Sequence, residues 1–208
     1  MGIVHHTASL SPTKQELVEA WLPSRSWAEG RQVAGKVAEY RFDDPDGEVG
    51  VETILWRTDD GIVLQTPLTY RAAPLDGAEA YLVGTTDHSV LGQRWVYDGC
   101  GDPVWASMLV DTISTGGQQA QMFIEQDGRR VDVPPRMQVR GSGGADSAPR
   151  VSSIDRVSDE GVVTAVTAGG LEIVVARVVG APLGSGPHLR GSVGDSDEAT
   201  VLAVLRRL

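Results

Sequence analysis

The 208-residue chain contains a single cysteine, Cys100. One cysteine excludes an intramolecular disulfide and a zinc site built from several cysteines, and it fits the reducing cytoplasm. A chain of this length can bury enough apolar surface to fold without such cross-links. We expect Cys100 to have a structural role, because the acidic neighbours in DGCGD disfavour the reactive thiolate form.

Long apolar runs are also missing. No stretch approaches the roughly 18 apolar residues typical of a membrane span. The N-terminal segment MGIVHHTASLSPTKQEL has no basic start followed by an apolar segment. The sequence therefore predicts a soluble, cytoplasmic protein that has no membrane partner.

Positive charge is scarce, above all in the first part of the chain. The formal net charge is −10, and residues 1–130 carry 19 Asp and Glu against 10 Lys and Arg. Residues 131–208 carry 9 against 8. Because an acidic surface repels phosphate backbones, nucleic acid is a poor candidate partner.

Two segments have the pattern of helices. In SLSPTKQELVEAWL, Ser11 is the expected N-cap, Pro12 suits the first turn, and the apolar residues that follow share one face. A second helix is expected from Asp102, with Pro103 behind this cap, to about Ser114.

Strand patterns outnumber helix patterns. KVAEYRF, GVETILW and GIVLQTPLTY are separated by the turn signals DDPDGE and TDDG, which predicts an antiparallel meander. QRWVYD is a further strand, and a hairpin is expected around QDGR. RGSGGADSAPR is typical of a flexible linker. We therefore predict the α+β class, with one domain at 1–139 and a smaller β-rich region at 140–208.

Cys100, His88 and Asp98 have the residue types of a nucleophile, a base and an orienting group. The acidic surroundings of Cys100 disfavour this use. We expect His88 to bond to a backbone carbonyl in a loop, and Asp98 to lie in a turn.

Metal and cofactor sites are not indicated. His5 and His6 could bind a metal together with His88 or His188, but adjacent residues of an extended segment point to opposite faces. The glycine-rich segments RGSGGADS and GSGPHLRGSVGDS lack the pattern of a phosphate-binding loop. We therefore expect no metal and no cofactor.

Tryptophan could provide a sugar-stacking face. Trp27 and Trp56 lie near predicted loops and are the candidates for such a ligand surface. Trp21, Trp95 and Trp105 have core-like positions in predicted helices and a strand.

Three segments carry a family resemblance: ASLSPTKQELVEAWLPSR, YRFDDPDGEVGVET and TPLTYRAAPLDGAEAYLVGTTDHSVLGQRWVYDGCGDPV. Their most specific parts are PLTYR, APL and HSVLGQRWVYD. Together they resemble the N-terminal cap domain of actinobacterial maltokinases and related aminoglycoside-phosphotransferase-like sugar kinases, from Met1 to about Arg130. The resemblance implies a curved antiparallel sheet with a few helices, set in front of a kinase that uses ATP and magnesium to phosphorylate maltose for α-glucan synthesis.

The resemblance also implies that the HSVLGQRWVYD signature is structural. Gly92 would form a turn, Trp95 and Tyr97 would lie on a buried strand, and Arg94 and Asp98 would tie loops down. The signature residues are His88, Gly92, Arg94, Trp95, Tyr97 and Asp98.

Kinase chemistry itself is not indicated. Phosphoryl transfer of this type needs a catalytic Asp, a nearby Asn, an Asp for magnesium and a Lys on the ATP phosphates, and the chain contains no asparagine. TVLAVLRRL resembles the strand that carries the ATP lysine, with Ala203 in the lysine's place. Residues 140–208 would then be a degenerate ATP lobe; otherwise this segment is a terminal strand or helix.

We therefore expect a stand-alone, non-catalytic cap-like protein that lacks a kinase catalytic lobe. Its partner would be another protein of sugar or α-glucan metabolism. One alternative is a sugar-binding module that uses Trp27 and Trp56. Another is an enzyme that uses the His88 region, which would require a deep pocket gathering His88 with Arg94, Asp98 and Cys100.

Overall fold

A computed structural model describes residues 9–126, 129–194 and 198–208, with side chains at all of these positions except 124–126 and 130. The helices are α1 (Lys14–Trp21) and α2 (Pro103–Thr115). The strands are β1 (Leu10–Ser11), β2 (Val33–Asp43), β3 (Gly50–Thr58), β4 (Val63–Arg71), β5 (Leu82–His88), β6 (Gly92–Asp98), β7 (Met122–Gln126), β8 (Arg129–Val133), β9 (Met137–Gly141), β10 (Arg156–Glu160), β11 (Val163–Ala168), β12 (Leu171–Ala176), β13 (His188–Val193) and β14 (Thr200–Arg207). The predicted α+β class is confirmed.

The first sheet has the order β1-β5-β6-β4-β3-β2, with antiparallel neighbours, and it is curled. The predicted meander is confirmed as β2-β3-β4. Sequence reasoning missed β5, because LVGTTDH has little apolar alternation. Its Gly84 accommodates α1: a Cβ there would lie 2.7 Å from Leu17 Cδ2.

Helix α1 begins later than predicted. Thr13, rather than Ser11, is the N-cap: Glu16 N donates to Thr13 Oγ1 (3.3 Å), and Thr13 N donates to the Glu16 carboxylate (2.7 Å). This capping box satisfies two backbone donors at once, whereas a serine cap satisfies one. Ser11 lies instead in β1, opposite Asp87.

Helix α2 follows the prediction closely. Val104 N donates to Asp102 Oδ1 at 2.9 Å, which confirms Asp102 as the N-cap ahead of Pro103. The helix ends at Gly116, whose φ of +76° favours glycine.

The second sheet has the order β10-β11-β12-β14-β13-β9 and is antiparallel throughout. TVLAVLRRL is therefore a strand and not a helix. The expected hairpin around QDGR is formed by β7 and β8. The predicted domain boundary after Val139 falls inside β9, which pairs with β13; the division into 1–139 and 140–208 stays a prediction.

The segment RGSGG, predicted to be flexible, packs against the C-terminal end of α2. Gly143 N donates to Ile113 O (2.9 Å), and Ala145 N donates to Ser114 O (3.0 Å). A Cβ on Gly143 would lie only 2.1 Å from Ser114 O. The glycine thus permits a close backbone approach that satisfies helix carbonyls, which composition alone does not distinguish from a linker.

The main core cluster joins both sheets to α2. Its largest contributions come from aromatic residues of β2 and α2 and from aliphatic residues of the second sheet: Tyr40, Phe42, Trp105, Leu109, Ile173, Leu189 and Leu205. In the part of the chain that the structure describes, no helix has the length and apolar character needed to cross a membrane.

Candidate functional site

The signature segment begins at the tip of the β5–β6 hairpin. The His88 ring accepts hydrogen bonds at Nδ1 from Val90 N and Leu91 N (both 3.2 Å), and Arg94 Nη2 donates to Leu91 O (2.8 Å). Gly92 has a φ of +72°, which favours glycine. These contacts order the turn, with the His88 ring accepting from two backbone amides; its expected bond to a backbone carbonyl stays a prediction.

The strand of the signature becomes more buried towards its C-terminal end. Trp95 is half-buried, whereas Tyr97 is buried. Tyr97 Oη accepts a hydrogen bond from Leu75 N at 2.9 Å. The signature strand is thereby joined to the APL segment that precedes it in the chain.

Asp98, at the end of β6, forms a buried ion pair with Arg177. Arg177 Nη2 lies 2.5 Å from Asp98 Oδ2, and both side chains are almost completely buried. Arg177 Nε also donates to Thr164 Oγ1 (2.7 Å), and the guanidinium lies 4.8 Å from the Trp27 ring centroid. Burial disfavours the charged guanidinium, but the carboxylate outweighs it, so the pKa of Arg177 is raised. The pair connects the first sheet to the segment after β12.

Asp102 forms a second ionic network four residues later. Its carboxylate receives Arg71 Nε and Nη2, each at 2.7 Å, and Thr69 Oγ1 at 2.7 Å. The same side chain caps α2. Arg71 is the last residue of PLTYR, so this paired geometry joins another specific motif to the end of the signature.

The glycines of DGCGD allow tight packing around Cys100. A Cβ on Gly101 would lie 2.1 Å from the Tyr81 ring, and one on Gly99 would lie 2.8 Å from Trp105. Burial raises the pKa of the Cys100 thiol well above its ordinary value. The thiol therefore stays protonated, and its surroundings have the character of a packed junction.

Residues 21–102 match the family model described as the maltokinase N-terminal cap domain. This segment is similar to the cap domain of maltokinases. The match is narrower than the resemblance from Met1 to about Arg130, and it ends at Asp102. No curated protein matches the chain.

The motifs of the cap are joined to one another by hydrogen bonds. PLTYR reaches Asp102, four residues beyond the signature, through Arg71, and APL reaches the signature strand through Leu75 and Tyr97. Each contact joins residues that are 22 or 31 positions apart in the chain. The pattern by which the family is recognised therefore coincides with the contacts that fix its fold.

The cap does not bring the candidate nucleophile, base and orienting residue together. His88 pairs with Gly92 at the hairpin tip, whereas Asp98 lies at the far end of β6, roughly 20 Å away at about 3.3 Å per residue. Cys100 follows Asp98 and is buried. The pocket required for an enzyme of the His88 region is therefore not formed by these residues.

Of the metal candidates, His88 and His188 lie in different sheets. His5 and His6 fall outside the described residues. His188 lies at the start of β13, with Nδ1 3.1 Å from Gly186 O. Among the described residues, no group of three or more His, Cys, Asp or Glu side chains could hold a metal ion.

The prediction that Trp27 and Trp56 form an exposed sugar-stacking surface is wrong. Trp27 and Trp56 are 0% and 2% exposed. Trp56 Nε1 donates to Thr66 Oγ1 at 2.8 Å inside the sheet, and Trp27 packs edge-on against Trp21 beneath the Arg177 guanidinium. Proximity to loops suggested exposure, but both rings belong to a buried cluster that includes Leu17, Val18 and Trp21 of α1.

Ala203 lies in β14, opposite Val175 of β12 and Leu189 of β13. It is 2% exposed and belongs to the main core cluster. A lysine in its place would bring an ammonium group into an apolar interior, at a high desolvation cost. The strand therefore fits a core-forming role, and the ATP-lobe origin of residues 140–208 stays a prediction.

Sequence reasoning missed Arg177 and Gln65, which connect the two sheets. Gln65 Nε2 donates to Ala176 O (3.0 Å) and Leu202 O (3.1 Å), and Gln65 N donates to Arg177 O (2.8 Å). The available signal was a long polar side chain that directly follows a run of apolar residues, in IVVARVVG and in IVLQTPL. Such residues are buried only when they are paired.

Proposed function

We propose that the protein is a non-catalytic cap-domain module that binds another protein of maltose, trehalose or α-glucan metabolism. The match of residues 21–102 to the maltokinase cap supports the metabolic link. One observation carries the non-catalytic part: Asp98 and Asp102, the carboxylates of the signature region, are buried and bonded to Arg177 and Arg71. Neither is available to a substrate.

The hairpin tip is the part of the signature that is suited to a partner contact. Val90 and Leu91 are 55% and 49% exposed, and the contacts of His88 and Arg94 hold their turn in place. A preordered apolar tip loses little conformational entropy when it enters a partner's pocket. We place the contact with the metabolic partner here.

Phosphotransfer assays test the non-catalytic part. The purified protein, incubated with ATP, magnesium and maltose, is expected to form no phosphorylated sugar, while a maltokinase assayed in parallel does so. A magnesium-dependent product that follows the protein through successive purification steps would contradict the proposal.

Crosslinking in the native host tests the partner. Tagged wild type and the variants Leu91→Asp and Val131→Asp are compared by quantitative mass spectrometry, since Val131 is a similarly exposed apolar residue on β8. We expect an enzyme of maltose, trehalose or α-glucan metabolism to be enriched with wild type and Val131→Asp and lost with Leu91→Asp. Equal enrichment with all three, or enrichment of no such enzyme, contradicts the proposal.

A further inference from the structure

The outward face of the β9–β13 pair carries two arginines directly opposite each other. Arg140 pairs with Arg190, and Gln138 pairs with Ser192 one step along the ladder. Because side chains alternate along a strand, these four share one face, and the intervening residues of β9 are buried. The polar face is therefore a direct consequence of the strand register.

This face forms one wall of a pocket with a volume of 500 Å³. The segment after α2 contributes Gln118 and Gln119 to the lining. Gln119 Oε1 accepts a hydrogen bond from Val139 N at 2.8 Å, which fixes the side chain and leaves its amide NH₂ as a donor. The pocket is thus lined by guanidinium, amide and hydroxyl groups, and its size is that of a small-molecule site.

The two arginines of the pocket place like charges directly opposite each other on neighbouring strands. Like charges that face each other across a strand pair destabilise a sheet. Arg71, Arg177 and Arg206 each have a carboxylate partner, whereas no carboxylate among the described residues forms an ion pair with Arg140 or Arg190. A chain with a net charge of −10 has many carboxylates for such pairing. Among the described residues, this arrangement concentrates positive charge where an anion can reach it.

We propose that this pocket binds a small phosphate monoester whose organic part carries hydroxyl groups, as in a hexose phosphate. Two guanidinium groups match the two negative charges of a phosphate monoester and can each donate paired hydrogen bonds. Gln118, Gln138 and Ser192 provide donors and acceptors for hydroxyl groups. The pocket lies outside the matched residues 21–102, so this site does not depend on the proposed function.

Isothermal titration of the full chain tests the site with glucose 6-phosphate, inorganic phosphate and glucose as probes. The variants are Arg140→Gln and Arg190→Gln. Arg156→Gln is the matched control, because Arg156 is an exposed arginine on β10, the opposite edge of the same sheet. We expect glucose 6-phosphate to bind best, phosphate at least fivefold more weakly and glucose undetectably.

Each pocket variant is expected to weaken glucose 6-phosphate binding at least tenfold, roughly the loss of one charged hydrogen-bonding partner, while Arg156→Gln leaves it unchanged. No saturable binding by wild type at 10 mM probe overturns the proposal. Equal weakening by Arg156→Gln does the same, because it indicates diffuse attraction. If inorganic phosphate binds as tightly as glucose 6-phosphate, the proposal that the ligand carries hydroxyl groups is refuted.

Discussion

Arginine occurs in two opposite settings in this molecule. At the junction between the sheets, Arg177 is buried and paired with Asp98, and Arg71 is paired with the buried Asp102. At the β9–β13 edge, Arg140 and Arg190 are exposed and face each other. The ion pairs of Arg71 and Arg177 help to fix how the two sheets pack against each other. Arg140 and Arg190 form no such ion pair among the described residues.

This contrast separates the region by which the family is recognised from the region with the properties of a binding site. The signature motifs attract attention because they combine His, Cys, Asp and Arg, yet their polar atoms are occupied by contacts within the fold. The β9–β13 edge lies beyond the cap match and has no motif.

Removing the partner of Arg177 should have the largest effect. Asp98→Ala leaves a guanidinium buried without its carboxylate, and we expect the free energy of unfolding to fall by about 3–5 kcal/mol. Urea unfolding followed by tryptophan fluorescence measures it.

The double variant Asp98→Ala/Arg177→Met provides the control. It removes both charges, so its loss should be smaller than the sum of the two single losses. Additive losses, or a loss below about 1 kcal/mol for Asp98→Ala, would mean that the pair does not hold the junction.

The sequence predicted the regular parts of the molecule better than its junction. Alternation predicted β2, β3 and β4, and Asp102 with Pro103 marked the start of α2, because these signals are local. The burial of Trp27 and Trp56 depends on which elements cover them, and local pattern does not contain that information. Arg177 and Asp98 are 79 residues apart, so only the meeting of the two sheets joins them.

The site at the β9–β13 edge was also beyond sequence reasoning. Arg140 and Arg190 lie in the two glycine-rich segments that lack the pattern of a phosphate-binding loop, so sequence reasoning predicted no site there. Their meeting depends on the register between two strands that are about 50 residues apart in the chain, and a shift of β9 by one residue would turn Arg140 to the buried face.

Gly101→Ala should have the next largest effect. Its added Cβ would lie 2.1 Å from the Tyr81 ring, so we expect a loss of about 1–3 kcal/mol from overpacking. Gly144→Ala is the control, because a Cβ there meets nothing within 4 Å. Thermal unfolding of both variants measures this loss. Equal melting temperatures would argue against close packing around Gly101.

A pH dependence should distinguish the buried carboxylate Glu52 from exposed ones. Burial opposes its ionisation, but the Lys14 ammonium, 2.6 Å away, and other partners outweigh this and lower its pKa. Because the pKa of Glu52 is lower in the folded protein than in the unfolded chain, where it is near 4.5, the ionised carboxylate stabilises the fold at pH values above the unfolded pKa. This contribution is lost as the pH falls through the pKa of the folded protein.

Lys14→Met removes that ammonium, so acid unfolding should begin at a higher pH, with a loss of about 1–2 kcal/mol at pH 7. Arg206→Met, which removes the partner of the more exposed Glu172, is the control and should move the acid transition less. Circular dichroism between pH 2 and pH 7, a range that brackets ordinary carboxyl pKa values, measures both. Identical acid transitions would contradict the assignment.

Arg190→Gln should have the smallest effect and the opposite sign. It removes one of two like charges that face each other across β9 and β13, and no ion pair among the described residues is lost with it. We therefore expect the ligand-free protein to gain a few tenths of a kcal/mol at low salt. The gain should disappear at high ionic strength, where exposed charges are screened. Urea unfolding at both salt concentrations measures this, and a clear loss of stability at low salt would show that Arg190 has a structural role like that of Arg177.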